Sequence, residues 1–200
     1  MRNVAVIGIG QTKFGELWDK SLRDMAVEAG VAAIVDAGID KHDIQSLFVG
    51  NMSAGRFAGQ EHLGALAGDF LGLRVPSVRC EAACASGSVA FRSAWRSVAS
   101  GECDISMALG AEKMTDISGP GVLTTLAAAG DQEWEASIGL TFAGLYALIA
   151  RRHMHEFGTT REQMALVSVE NHKNGMSNPY AQFRNEITLD DVLNAAMIAD

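Results

Sequence analysis

Two hundred residues with 48% hydrophobic content are enough for one globular domain with a sizeable core. A formal charge of −8, with no Lys/Arg cluster to offset it, excludes a dominant nucleic-acid surface, because phosphate binding needs a basic face. No apolar run reaches the length of a bilayer span and three cysteines do not make a disulfide framework, so a cytoplasmic protein away from membranes is expected.

Val4–Ile9 is a short apolar run bounded by glycine and predicts a first, fully buried strand. Gly8 and Gly10 could begin a dinucleotide-binding turn, but the third glycine of that fingerprint would fall at Lys13, which excludes it. Ser21, with Asp24 three residues on, N-caps a helix in which Leu22, Met25, Ala26, Ala29 and Ala33 recur at helical spacing, and Gly38 ends it. Ser46–Asn51 predicts a second strand, Glu61–Leu71 an alanine-rich helix and Val75–Cys80 a third strand. Ala85–Ser100 follows as a helix stopped by Gly101, then Ile105–Leu109 as a fourth strand. The helix at 85–100 carries no charge before Arg92, which predicts an element enclosed by other layers. Strands alternating with helices at these lengths imply βαβ units: an α/β fold with a mainly parallel sheet between helix layers.

After Glu112 the rhythm changes. Residues 113–136 show no clean periodicity and read as an excursion from the sheet. Thr141–Phe157 is helical and ends at Gly158; Thr160 and Gln163 form a capping box for a helix to about Asn174. Asn178–Asn185 reads as loop, and Thr188 with Asp191 caps a last short segment. A four-strand sheet with a long insertion and no returning strand is topologically incomplete, so the chain reads as part of a longer polypeptide.

The chemistry centres on Cys84, in Cys80-Glu-Ala-Ala-Cys84-Ala-Ser-Gly-Ser88. It stands where a strand gives way to a helix of small residues. A thiol there faces unpaired backbone N–H groups and the positive end of the macrodipole, which favours thiolate and makes a nucleophile. Cys80, closing a strand, and Cys103, at a turn, read as small buried hydrophobes, and no second pair follows at zinc-site spacing. His153 and His155 point to different faces of one helix and share no ligand; His42, His62 and His172 read as ordinary surface or packing residues. No metal site is expected.

Several stretches resemble the thiolase family, in its sterol-carrier-protein-type and archaeal branch: Val4 through Gly15, Glu81-Ala-Ala-Cys84-Ala-Ser-Gly87, Gly110-Ala-Glu-Lys-Met114, and Asn178-Pro-Tyr-Ala-Gln-Phe183. The resemblance spans essentially the whole chain and implies its N-terminal half. It implies one of two similar halves packed in a five-layered sandwich, with 85–100 as a central helix. On this reading residues 1–200 are an incomplete N-terminal domain: a βα core at 1–112, a substrate-covering insertion at 113–187 and a return segment at 188–200.

The resemblance also implies acyl transfer through Cys84, in 3-ketoacyl-CoA cleavage or acetyl-CoA condensation, with the Cys84 N–H as one oxyanion donor. Coenzyme A thioesters are then the substrates, and no cofactor is covalently bound. Met114 would lie near the thioester, with Ser137, Thr141 and Phe142 in the region lining the pantetheine tunnel. The family's Gly-His-Pro and Cys-x-Gly motifs belong to its second half and are absent here, so the chain alone is expected to turn over little substrate. The family further implies a homodimer or homotetramer joined through the strand at Val75–Cys80. A complex with a condensing synthase and a small zinc-containing partner is a further implied arrangement. Two alternatives remain open: a ketoacyl-synthase-like condensing enzyme, and a non-catalytic half-subunit that binds acyl-CoA.

Overall fold

Ser21 opens helix α1 (Leu22–Ala37) as the sequence predicts. Its hydroxyl accepts from the Asp24 amide at 3.2 Å, and the Asp24 carboxylate accepts in return from the Ser21 amide at 2.9 Å. Hydrogen bonding from the Ser21 hydroxyl, then from its amide, holds the Asp24 carboxyl below the ordinary carboxylate range. Gly38, at φ 65°, closes the helix in the left-handed conformation that glycine adopts freely. Ser21→Ala is expected to lower stability by about 1 kcal/mol, read as a reduced urea midpoint at unchanged slope.

In the computed structural model, which describes residues 1–200, the chain divides into two units: Met1–Thr12 with Glu16–Ser118, and Lys13–Gly15 with Gly119–Asp200. The first unit contains a three-stranded parallel sheet of β1 (Ser46–Gly50), β2 (Ser77–Cys80) and β3 (Ser106–Gly110), in the order β2-β1-β3. Two further helices precede β2: α2 (Ala54–Phe57) and α3 (Leu63–Leu71). The crossover from β2 to β3 is α4 (Ser86–Ser100). Helices α1 and α3 cover one face of the sheet and α4 the other.

Strand alternation sorts the two faces. Leu47 and Val49 of β1 and Met107 and Leu109 of β3 join Leu22, Ala26, Leu63, Ala67 and Leu71 in the core beneath α1 and α3. The opposite face carries Ser46, Phe48 and Gly50 of β1, Val78 and Cys80 of β2, and Ser106, Ala108 and Gly110 of β3, and at Gly50 the start of α4 comes into backbone contact with the sheet. The α/β class with a parallel sheet between helix layers is therefore borne out.

Several sequence expectations are corrected. Val4–Ile9 is not a strand: it pairs with neither free edge of the sheet, β2 or β3, and runs beside α1 instead. Gly8 and Gly10 lie against the α1 backbone near Ala33 and Ala29, the Ile9 amide donates to Asp36 Oδ2 at 2.8 Å, and Val6, Ile7 and Ile9 are exposed. The sheet accordingly has three strands, not four. The helix expected from Glu61 starts at Leu63, and the short α2 had no signal in the periodicity.

The helix expected from Ala85 starts at Ser86, and Cys84 belongs to a 3₁₀ turn just before it, Ala83–Ala85. Nor is α4 enclosed. Ala90, Ala94 and Ser97 are buried on the sheet, but Phe91 and Trp95 remain 53% and 40% exposed beside solvated Arg92 and Arg96. Its charge-poor start serves close contact with the sheet through one face.

The second unit is helical: α5 (Gly119–Ala127), a 3₁₀ turn at Ala136–Ile138, α6 (Phe142–Phe157), α7 (Arg161–Met176) and α8 (Leu189–Leu193). The excursion expected over 113–136 thus contains α5. Its Gly119-Pro120 start reads as a breaker in sequence, yet proline in a first turn forfeits no intrahelical bond. The caps at Thr160 and Thr188 form as expected, and Thr141, read as the first residue of its helix, is instead its N-cap. No helix is long and apolar enough to cross a membrane.

Candidate active site

Because the sheet is parallel, the loops that follow β1, β2 and β3 leave from one edge, where ligands of open α/β sheets bind. The loop after β2 carries Cys84, which is solvent-exposed at the foot of the fifteen-residue α4. The loop after β3 carries Met114, half-buried.

The turn around Cys84 is closely held. The Ala82 amide donates to Ser86 Oγ at 3.0 Å, the Ala83 amide to Glu81 Oε1 at 2.6 Å and the Ala85 amide to the Ala82 carbonyl at 2.9 Å. The Cys84 amide donates to no atom of the chain. Ala83 has φ 47°, a left-handed conformation that strains a residue with a Cβ by on the order of 1–2 kcal/mol. Ser86, buried, offsets that strain by donating its hydroxyl to the Ala83 carbonyl at 2.6 Å, which also accepts from the Ser86 amide.

Packing fixes the turn from below. A Cβ placed on Gly50, the last residue of β1, would stand 2.6 Å from both Gly87 Cα and the Ser86 carbonyl. Only glycine lets the end of the central strand touch the start of α4.

A polar clamp ties the three loops together. Asn51 is buried; its amide donates to the Cys80 carbonyl at 3.1 Å, and its side-chain Nδ2 donates to the Ala111 carbonyl at 2.8 Å and to Glu112 Oε1 at 2.9 Å. The Glu112 carboxylate accepts from the Met52 amide at 2.7 Å, and Arg79 donates to the carbonyls of Asn51 and Met52 and pairs with Glu61 at 3.1 Å. All these groups are satisfied, so the clamp is rigid and its atoms are occupied structurally.

Cys103 is buried, with its sulfur 3.2 Å from Ser97 Oγ and 3.6 Å from Ser46 Oγ, and Cys80 is half-buried with its sulfur 4.0 Å from Ser93 Oγ. Both match their reading as packing residues. The remaining expected site residues lie in the second unit. Ser137 is exposed and its hydroxyl donates to the Glu133 carbonyl; Thr141 caps α6 by accepting from the Gly144 amide at 3.1 Å; the Phe142 ring packs tilted against Tyr146, with centroids 5.5 Å apart. These are local roles, and the three share the neighbourhood where α6 begins.

Sequence reasoning missed Ser86, Asn51, Glu112 and the strained Ala83. Ser86 had a faint signal, a hydroxyl two residues after the nucleophile at a helix start. Asn51 and Glu112 had none, because their partners are about sixty positions away in sequence.

A family model described as the thiolase N-terminal domain matches residues 4–195. The acetyl-CoA acetyltransferase of Methanothermobacter thermautotrophicus is 57% identical over 201 aligned positions, covering 100% of this chain and 52% of that protein. The acetyl-CoA acetyltransferase of Methanocaldococcus jannaschii is 52% identical, covering 100% of this chain and 51% of its own length. Among solved structures, the Ltp2-ChsH2(DUF35) aldolase superposes with a TM-score of 0.74 at 28% identity, over 97% of this chain and 49% of that one. The chain therefore spans about half the length of the curated relatives it matches.

Proposed function

The chain belongs to the thiolase family through its N-terminal domain, and from that premise we propose that it carries the nucleophile of a coenzyme A-dependent acyltransferase, Cys84. The observation that carries the reading is an exposed cysteine beside its own unbonded amide, at the junction of β2 and a long helix. The names of the two archaeal relatives support acetyl-CoA as substrate.

In the proposed step the Cys84 sulfur attacks the carbonyl carbon of the thioester. The π pair moves to oxygen, and the Cys84 N–H donates to the resulting oxyanion. The oxyanion then collapses, the bond to the CoA sulfur breaks, and the acetyl group stays on Cys84 while CoA leaves as thiol, carrying the proton that the Cys84 thiol gave up on attack. A second acceptor, a CoA thiol or an acetyl-CoA enolate, takes the acyl group in the return step.

Residues 1–112 are the nucleophile-bearing core in this reading, 113–187 the insertion that covers substrate and 188–200 a return segment. Met114, in the same unit as Cys84, is assigned to the neighbourhood of the thioester, and Ser137, Thr141 and Phe142 of the second unit are assigned only to the stretch corresponding to the family's pantetheine-lining region. No covalently held cofactor is needed for this chemistry. β2 is an edge strand with Val78 exposed, which supports assembly into a homo-oligomer through it. A solved relative with a DUF35 component in its name supports a partner of that type. A cytoplasmic location fits a CoA-dependent enzyme without a membrane-spanning helix.

The test is to incubate the chain with acetyl-CoA or an activated acetyl ester and map the product by peptide mass. A single acetyl group on Cys84 is expected. Acetyl spread evenly over Cys80, Cys84 and Cys103, or none at all, would favour a non-catalytic acyl-CoA-binding protein.

A further inference from the structure

The peptide unit between Ala83 and Cys84 is planar and trans, so its carbonyl and its N–H point in opposite directions. Whatever grips the Ala83 oxygen therefore aims the Cys84 amide. The Ser86 hydroxyl is that grip: it donates to the Ala83 oxygen at 2.6 Å and accepts from the Ala82 amide at 3.0 Å, holding the backbone on both sides of the left-handed Ala83. The Ser86 amide also binds the Ala83 oxygen, but it moves with the helix and does not reach back to Ala82. Without the hydroxyl, Ala83 has reason to relax toward negative φ, which rotates the peptide plane and swings the Cys84 N–H away.

We infer that Ser86 is a positioning residue for acyl transfer, holding the Cys84 amide in line with the oxyanion formed at its sulfur. This rests on the acyl-transfer reading of Cys84 and adds to it the group that orients the donor. Ser86 itself is buried and touches no substrate.

Two reactions of the same sulfur separate aim from nucleophilicity. Acetylation by p-nitrophenyl acetate passes through an oxyanion: the S–C bond forms, the ester C–O bond breaks and p-nitrophenolate departs. Alkylation by iodoacetamide displaces iodide and builds no oxyanion. In Ser86→Ala, acetylation of Cys84 is expected to fall about 10²-fold while alkylation changes by less than roughly threefold, since loss of one oxyanion donor has that size. Ser86→Thr keeps the hydroxyl and is expected to acetylate within roughly threefold of the parent.

The inference is overturned if Ser86→Ala acetylates at the parent rate, if both reactions fall together, or if Ser86→Thr is as slow as Ser86→Ala. Buried Cys103 reports the fold in each variant: a Ser86→Ala chain that alkylates quickly there shows a merely structural hydroxyl, which also overturns it. A parent chain that never acetylates Cys84 defeats the acyl-transfer reading itself, a separate and recognisable outcome.

Discussion

Cys84→Ala is expected to abolish acetyl labelling of the chain, with the labelling rate down by about 10⁴-fold or more, the scale on which removal of a nucleophile acts. The expectation follows from what surrounds the three sulfurs. Cys103 lies within bonding distance of two hydroxyls in a buried site beneath α4, and Cys80 is half-buried against Ser93. Only Cys84 is exposed, at a turn whose amide is free to donate. Iodoacetamide applied to the folded chain should therefore modify Cys84 first, by about tenfold or more over the other two. In denaturant the three should react alike, because the difference belongs to the fold. Residual acetylation in the alanine variant, or Cys80 labelled as fast as Cys84, would remove the basis for the assignment.

Gly50→Ala is the second change with a large expected effect. The new methyl would lie 2.6 Å from Gly87 Cα and 2.7 Å from the Gly87 amide, all backbone, so no side chain can swing aside. The central strand cannot retreat either, being bonded to β2 on one side and β3 on the other. The strain passes to the start of α4 and the turn that presents Cys84. Overpacking of this kind destabilises by about 1–3 kcal/mol. Displacing the turn by about 1 Å should slow acetylation of Cys84 on the order of 10²-fold. Gly110→Ala is the matched control: it ends the neighbouring strand on the same face, and a Cβ there meets nothing within 4 Å. It should leave both unfolding and acetylation nearly unchanged. Equal effects of the two substitutions would show that strand-end glycine, not contact with α4, is what matters.

Most of the helix boundaries were legible because capping is local. Ser21 with Asp24, Thr160 with Gln163 and Thr188 with Asp191 each close a ring within four residues, and glycines 38, 101 and 158 stop helices through their own backbone freedom. The failures lie where a partner is distant. Val4–Ile9 has the composition of a strand, but its glycines pack on the α1 backbone near Ala33 and Ala29 and its Ile9 amide is held by Asp36, contacts remote in sequence. The low charge at the start of α4 was visible; that it served contact with Gly50, leaving Phe91 and Trp95 in solvent, was not. At the site, Cys84 was legible from its place between strand and helix, while the clamp of Asn51, Arg79 and Glu112 joins a residue of β2 to residues of two separate loops.

The sequence by itself determined which sulfur sits at a strand-to-helix junction, where the capped helices begin and end, and that the strands run parallel, because each follows from short-range bonding or from element spacing. Tertiary structure alone decided which strands pair, which face of α4 is covered and how the Cys84 amide is turned. Those depend on competition for hydrogen-bonding edges and on backbone approach between segments remote in the chain, and Ala83 holds its left-handed conformation only inside that assembled frame.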